Sequence, residues 1–273
     1  MIRMIGLDLD GTLLTADKRI SEENKKVLYR ASEQGAVIVP VTGRPYSGIP
    51  APIMELPFIR YTITSNGAVT TDRAGGGVIR ERCMTAQKAA EVLSQARGSD
   101  IIREYFTGGY GHHDSLGRKL LGERFGKTPV IDYLRQSRIL EKDLMKSLEA
   151  QSGGIENLSI MCRSASQKLQ VLRRIRPIEG IRIIFPWPTD LEITSDRADK
   201  GEALLDLCTR LDIAREETMA IGDGNNDLGL MRAAGFSVAM GNSDEDVKEA
   251  ADYVTDDNEH DGVATAIRKY VLC

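Results

Sequence analysis

Cysteine is sparse and scattered in this sequence: Cys83, Cys162, Cys208 and Cys273 stand apart, and no CxxC pair exists. That excludes a disulfide framework and a thiolate zinc site, and it leaves four reduced thiols, with Cys162 and Cys208 expected in the core. Histidine is rarer still, at three residues. His112 and His113 are adjacent but have no further ligands near them, so they do not read as a metal centre. His260 reads as a turn residue. No apolar stretch is long enough to span a bilayer, and the N-terminus lacks the basic, apolar and small-residue pattern of a signal peptide. There is no long basic run, and the net charge is -4. Neither nucleic acid nor an anionic membrane is therefore an expected partner. Internal repeats and low-complexity segments are absent too. These absences leave a soluble, cytoplasmic protein, expected to be a monomer.

What is present is core-forming. The 273 residues are 41% hydrophobic and 28% charged, enough for one large domain or two moderate ones. Met4 to Leu9 is a short apolar run interrupted only by Gly6 and Asp8, and it ends at Asp10-Gly11-Thr12. Such a run before a turn signal reads as a buried parallel strand. Ser21 caps an expected helix to about Gln34, Gly35 stops it, and Ala36 to Val41 is the next strand. A strand, a crossover helix and a second strand make a right-handed, parallel unit. Tyr61 to Thr64 is a third strand, followed by a hairpin turning between Asp72 and Gly77.

The pattern changes near Cys83. Helices are expected over Thr85 to Ala96, around Asp132 to Leu134, over Leu140 to Leu148 and over Ser166 to Arg174. Strands are expected over Ile101 to Phe106, Leu158 to Cys162 and Ile181 to Phe185. Between Phe106 and Lys127 the chain reads as a polar, Gly-rich, basic loop. Pro186-Trp187-Pro188 reads as a hinge, with Trp187 packing there rather than serving as a sugar platform. The first pattern resumes at Leu191: a helix from Asp199 to Leu211, strands at Thr218 to Ile221, Phe236 to Met240 and Tyr253-Val254, and a closing helix from Gly262 to Val271. Ser243 with Asp246 reads as a capping box. The expected architecture is α/β: a doubly wound parallel-sheet core from residues 1–82 and 189–273, with an α+β domain, 83–188, inserted between its halves.

Open parallel sheets bind ligands beyond the carboxyl ends of their strands. Four such ends carry polar groups: Asp8/Asp10, Thr42/Gly43/Arg44, Ser65/Asn66/Gly67 and Asp223/Asn226/Asp227. Lys200 opens a helix nearby in the pattern. Asp8, Asp10, Asp223 and Asp227 are hard oxygen donors with no His or Cys beside them, which favours Mg²⁺ over zinc. Lys200 and the cation would balance the acids. Thr42, Lys200 and the backbone amides after Asp8, at Leu9 to Gly11, and at Gly43 suit a phosphoryl group. Arg44 reads equally as a substrate contact or as an anchor of its own loop, and Asn66 as the shaper of its turn.

Six segments, in this order, resemble the haloacid dehalogenase superfamily and its Cof-like phosphatases of subclass IIB. They are Asp8-Leu9-Asp10-Gly11-Thr12, Thr42-Gly43-Arg44, Ser65-Asn66-Gly67-Ala68, Asp199-Lys200-Gly201-Glu202-Ala203-Leu204, Gly222-Asp223-Gly224-Asn225-Asn226-Asp227 with Leu228-Gly229-Leu230-Met231, and Asp261-Gly262-Val263-Ala264. The resemblance implies a Rossmann-like core and a Mg²⁺-dependent phosphatase of small phosphorylated metabolites, sugar phosphates above all. It implies Asp8 as the nucleophile that becomes an aspartyl-phosphate, and Asp10 as general acid and then general base. Thr42 and Lys200 would hold the phosphoryl group. Asp8, the Asp10 carbonyl and Asp223 would ligate Mg²⁺, with Asp227 ligating it directly or through an intervening group, and Asn226 would contact phosphate or orient its loop. The inserted domain would be the family's cap, which closes over the site and selects the leaving group. Tyr105, Tyr110, His112, His113, Arg118 and Lys119 are its candidate substrate contacts. A phosphohexomutase and a non-catalytic metabolite sensor are the competing functions on the same scaffold.

Overall fold

The computed structural model describes residues 1–126 and 128–272; Lys127 and Cys273 lie outside the described residues. In chain order the strands are β1 (Met4–Leu7), β2 (Val37–Pro40), β3 (Tyr61–Thr64), β4 (Val69–Asp72) and β5 (Gly77–Glu81). Then come β6 (Ile102–Thr107), β7 (Tyr110–Asp114), β8 (Arg138–Glu141), β9 (Asn157–Met161) and β10 (Ile181–Ile184). The last are β11 (Asp190–Ser195), β12 (Thr218–Gly222), β13 (Phe236–Ala239) and β14 (Tyr253–Val254). The chain divides into two compact units, one of residues 1–43, 49–80 and 199–273, the other of residues 44–48 and 81–198. No helix among the described residues is long and apolar enough to cross a membrane.

The first unit is built on a five-stranded sheet in the order β14-β13-β12-β1-β2. Every pairing in it is parallel. All four residues of β1 are buried, as a strand covered on both faces by crossover helices must be. From β1 the chain moves outward to β2 on one side, and from β12 to β13 and β14 on the other. The order therefore reverses between β1 and β12, and their carboxyl ends open the crevice in which such sheets hold ligands. A bridge between Val41 and Ile63 runs parallel from β2 towards β3, which continues into the three-stranded β3-β4-β5.

Local signals set the helices that support this sheet. The Ser21 hydroxyl accepts the Asn24 amide at 3.0 Å and starts helix Glu22–Glu33, with Gly35 (φ +93°) beyond its end. Asp199 caps helix Lys200–Arg210, its carboxylate accepting the amides of Gly201 and Glu202. That helix buries Ala203, Leu204, Leu207 and Cys208 against Met4, Val39, Tyr61, Ile63 and Ala220. A cap of this kind is worth about 1 kcal/mol. Packing of the apolar stripe supplies most of the rest.

The second unit holds a six-stranded sheet in the order β10-β11-β9-β6-β7-β8. Its pairings are antiparallel except β7 with β8. Ala89, Val92, Leu93, Tyr105, Leu144, Leu148, Leu158, Ile160, Val171, Leu191 and Ile193 form its core. Several expectations are corrected here. The segment read as a polar loop after Phe106 folds as β7 and helix Ser115–Phe125. Leu140 lies in a strand, and the helix beyond it starts only at Leu144. Pro186-Trp187-Pro188 is no hinge between domains but the turn of the β10–β11 hairpin, with Trp187 67% exposed. β11 pairs antiparallel with β9, so Leu191 does not resume the parallel core. The compact units accordingly divide after Arg80 and before Asp199, not at 82/83 and 188/189. In the first unit, Ser243 makes no capping box: Asp244 precedes helix Glu245–Glu249, and the Ser243 hydroxyl is buried without a hydrogen-bond partner.

Candidate active site

The first site residue follows β1 directly. The Asp8 amide donates to the Ile221 carbonyl at 3.0 Å, continuing the β1–β12 ladder by one residue and placing the Asp8 side chain, 7% exposed, at the switch point. The chain must turn at once. Gly11 does so at φ +82°, and a Cβ on it would lie 2.3 Å from Asp223 Oδ2. Only glycine accommodates both the left-handed backbone and the carboxylate. The Thr12 hydroxyl donates to Asp223 Oδ1 at 2.8 Å and so ties the loop after β1 to the loop after β12.

Lys200 reaches the same place from the first turn of its helix. Its ammonium donates to Asp8 Oδ1 at 2.7 Å and to Asp227 Oδ1 at 2.6 Å, and the residue is 2% exposed. The other oxygen of Asp227 accepts the amides of Asp223 and Gly224 at 3.1 and 3.0 Å. One carboxylate oxygen each from Asp8, Asp223 and Asp227 lie within 4.8 Å of one another.

Three carboxylates thus cluster around one ammonium, which bonds two of them. Burial, and next the charge of Asp227, push the Asp8 carboxyl well above the usual carboxylate range against the pull of Lys200. Burial and the Asp227 charge likewise push Asp223 up to about 6, although the Thr12 hydroxyl favours its ionised form. Burial would lower the Lys200 ammonium, but Asp227 and Asp8 override it and hold the group above its ordinary value. The cluster carries more negative charge than it neutralises, and its donors are hard oxygens. Asp8, Asp223 and Asp227 therefore fit a divalent cation of the Mg²⁺ type.

Thr42 is buried beyond β2. Its amide donates to the Ile63 carbonyl at 2.9 Å, and its carbonyl accepts the Asn66 amide at 3.1 Å. Asn66 is buried in a left-handed conformation (φ +55°), and its side-chain oxygen accepts from Asn226 Nδ2 at 3.4 Å. A Cβ on Gly43 would stand 3.0 Å from that same oxygen. Asn66 is therefore the turn-shaper that its motif implies, and it links Thr42, Gly43 and the exposed Asn226.

The remaining expected residues divide. Leu9 is buried, and its carbonyl accepts the Leu14 amide at 2.8 Å. Asp10 is partly exposed and pairs with Lys18 at 2.7 Å. Arg44 belongs to the second unit, where its guanidinium lies 4.7 Å from the Tyr133 ring centroid and donates to the Gly48 carbonyl at 2.8 Å. In that unit Tyr105 and His112 are buried and stack at 4.5 Å, His112 pairs with Glu141 at 2.7 Å, and His113 faces Glu104 at 3.5 Å. These three are sheet residues with internal partners. Tyr110, Arg118 and Lys119 are exposed. Sequence reasoning missed Lys18, and it missed Asn242, whose amide donates to the Gly11 carbonyl at 2.9 Å. The Gly241-Asn242 pair at the end of β13 was the available signal, a turn at a fifth strand end.

A parallel sheet with a carboxylate–lysine cluster at its switch point defines an α/β protein with an acidic, cation-ready site at its strand ends. The haloacid dehalogenase-like hydrolase family model matches residues 5–267, and the chain belongs to that family. Phosphatase YwpJ of Bacillus subtilis (strain 168) is 32% identical over 279 residues, covering 96% of this chain and 98% of that protein. The 5-amino-6-(5-phospho-D-ribitylamino)uracil phosphatase YcsE of the same organism is 29% identical, covering 99% and 96%. A solved structure of a haloacid dehalogenase-like hydrolase from B. subtilis superposes with a TM-score of 0.85 at 29% identity, covering 98% of this chain and all of that one.

Proposed function

We propose that the chain is a Mg²⁺-dependent phosphatase of small phosphorylated metabolites, most specifically of sugar and sugar-alcohol phosphates, acting through an aspartyl-phosphate. The observation that carries this reading is the buried Asp8 carboxylate held at 2.7 Å by Lys200, at the strand end where the family's nucleophile stands. The sugar-alcohol class rests on the ribityl phosphate named for the relative YcsE.

In this reading an Asp8 oxygen attacks phosphorus, and the bond from phosphorus to the ester oxygen breaks. Asp10, protonated, gives its proton to the departing alkoxide. The resulting Asp10 carboxylate then takes a proton from water, whose oxygen attacks the phosphorus and releases phosphate from Asp8. Lys200 orients Asp8 and holds the phosphoryl oxygens, joined by Thr42 and the backbone amides of Leu9 to Gly11 and of Gly43. Asp8, Asp223 and Asp227, with the Asp10 carbonyl, would hold Mg²⁺, which when bound neutralises charge on the phosphoryl oxygens. The second unit supplies the discrimination between esters.

The test is phosphate release from a panel of phosphorylated metabolites with Mg²⁺, wild type beside Asp8→Asn. Preference for sugar or sugar-alcohol phosphates, lost in the variant, is expected. Release that survives in Asp8→Asn removes the nucleophile, and a folded wild type that hydrolyses none of the panel removes the reading.

A further inference from the structure

The turn Ser65–Asn66–Gly67 joins three parts of the site. Asn66 binds the Thr42 carbonyl through its amide and Asn226 through its side chain. Gly67 lies directly against the start of the lysine-bearing helix: a Cβ there would fall 2.2 Å from the Asp199 carbonyl oxygen and 2.7 Å from the Lys200 nitrogen. Ser65 and Asn66 both hold positive φ, at 51° and 55°. Two consecutive non-glycine residues in that region persist only when their surroundings over-determine them.

Arg80, on β5, provides that constraint. Its guanidinium is buried, with the side chain 5% exposed. Nη1 donates to the Gly67 carbonyl at 2.6 Å, and Nε donates to Asp206, which lies on helix Lys200–Arg210. The same helix is tied to β5 a second time, by Arg210 donating to the Ile79 carbonyl at 2.8 Å. A planar guanidinium can engage both acceptors in fixed geometry, whereas a single ammonium is a point donor. Arg80 touches none of the groups assigned to the reaction.

We propose that Arg80 is a positioning residue: by clamping the Gly67 carbonyl to the helix that carries Lys200, it fixes Thr42, Asn226 and Lys200 relative to one another. The role rests on the phosphatase reading for the chemistry it serves, but the clamp itself is a property of the fold. Misplacing phosphoryl-holding groups by a fraction of an ångström affects the transition state more than the ground state.

The experiment compares wild type, Arg80→Met, Arg80→Lys and Asp206→Asn. Circular dichroism verifies folding, kcat and KM are measured on the preferred ester, and calorimetry measures orthovanadate affinity with Mg²⁺ present. Orthovanadate imitates five-coordinate phosphorus and needs no turnover. Arg80→Met is expected to lose at least tenfold in kcat with KM within threefold, and at least tenfold in orthovanadate affinity. Arg80→Lys is expected to be intermediate, with at least a threefold loss in each. Asp206→Asn keeps an acceptor for Nε and is expected within twofold of wild type. A folded Arg80→Met within twofold in both measurements overturns the proposal. If Arg80→Met does not fold, Arg80→Lys decides, and wild-type values there overturn the clamp. If no ester is hydrolysed, the phosphatase reading fails and orthovanadate affinity alone decides Arg80; a wild type that does not bind orthovanadate overturns this proposal too.

Discussion

Lys200 and Asp8 stand 192 residues apart in the chain and meet at 2.7 Å, both buried. The ammonium does two things there, neutralising the carboxylates and aiming one of them. Lys200→Met keeps the bulk of the side chain and deletes both. Truncating one partner of a buried ion pair costs about 3–5 kcal/mol, and losing one charge-stabilising donor costs about 10²–10³ in kcat. The variant should therefore melt at a distinctly lower temperature and lose at least that much turnover. An unchanged melting midpoint would show that the ion pair does not contribute to the fold as described.

The carboxylate cluster leads to a second expectation. Metal removal with EDTA should abolish phosphate release, and Mg²⁺ should restore it. Because the cation binds the folded chain, Mg²⁺ should also raise the melting midpoint of the EDTA-treated protein in a concentration-dependent way. Asp223→Asn should weaken that thermal response. Rescue of activity by zinc but not by Mg²⁺ would contradict the hard-oxygen donor set.

Much of the site was legible because its signals are local. The spacing of Asp8 and Asp10 at an apolar run, the Thr42-Gly43 turn, the helix opening at Asp199-Lys200 and the Asp223–Asp227 loop each declare a strand end or a helix start. What was not legible depends on distant partners. Thr12 meets Asp223, and Asn242 meets the Gly11 carbonyl, only because β12 and β13 lie on one side of β1. His112 and His113 looked like loop residues because Tyr110-Gly111-His112-His113-Asp114 has no apolar alternation. They are buried in β7, where His112 hydrogen-bonds Glu141 at 2.7 Å and His113 lies 3.5 Å from Glu104, both partners coming from other strands. Leu140, Leu144 and Leu148 have helical spacing, yet Leu140 pairs in register with His113 at the sheet edge, where it is 48% exposed. The β10–β11 hairpin was hidden by Pro186 and Pro188, which punctuate a turn as readily as a linker.

The cysteines carry a chemical prediction. Burial pushes the Cys162 and Cys208 thiols up to about 11, and burial with the charges of Glu156 and Glu81 pushes Cys83 up to about 12. The thiolate is the nucleophile, so at pH 8 each is almost wholly in its unreactive form. In a Cys273→Ser background, alkylation by iodoacetamide at pH 8 should be slow in the folded protein. Unfolding in urea should accelerate it sharply at all three positions. Rapid labelling of the folded protein at Cys162 or Cys208 would contradict their burial.

Glu104 contributes to the pH dependence of the second unit's stability. It is fully buried, Arg138 lies 3.2 Å away on β8 and His113 3.5 Å away on β7. Burial would raise its carboxyl, but Arg138 and then His113 outweigh it, so the folded value lies below the ordinary 4.5. A depressed carboxylate contributes stability that is present above its unfolded value and lost as pH falls through the folded one. Wild type should therefore exceed Glu104→Gln in melting midpoint at pH 7, where an unpaired Arg138 costs about 3–5 kcal/mol. Below about pH 4.5 the gap should narrow, as wild type takes up the proton that the amide never needed. Thermal melts of both proteins between pH 3.5 and 7 decide it. A gap that widens on acidification would mean that Arg138 does not hold Glu104 ionised.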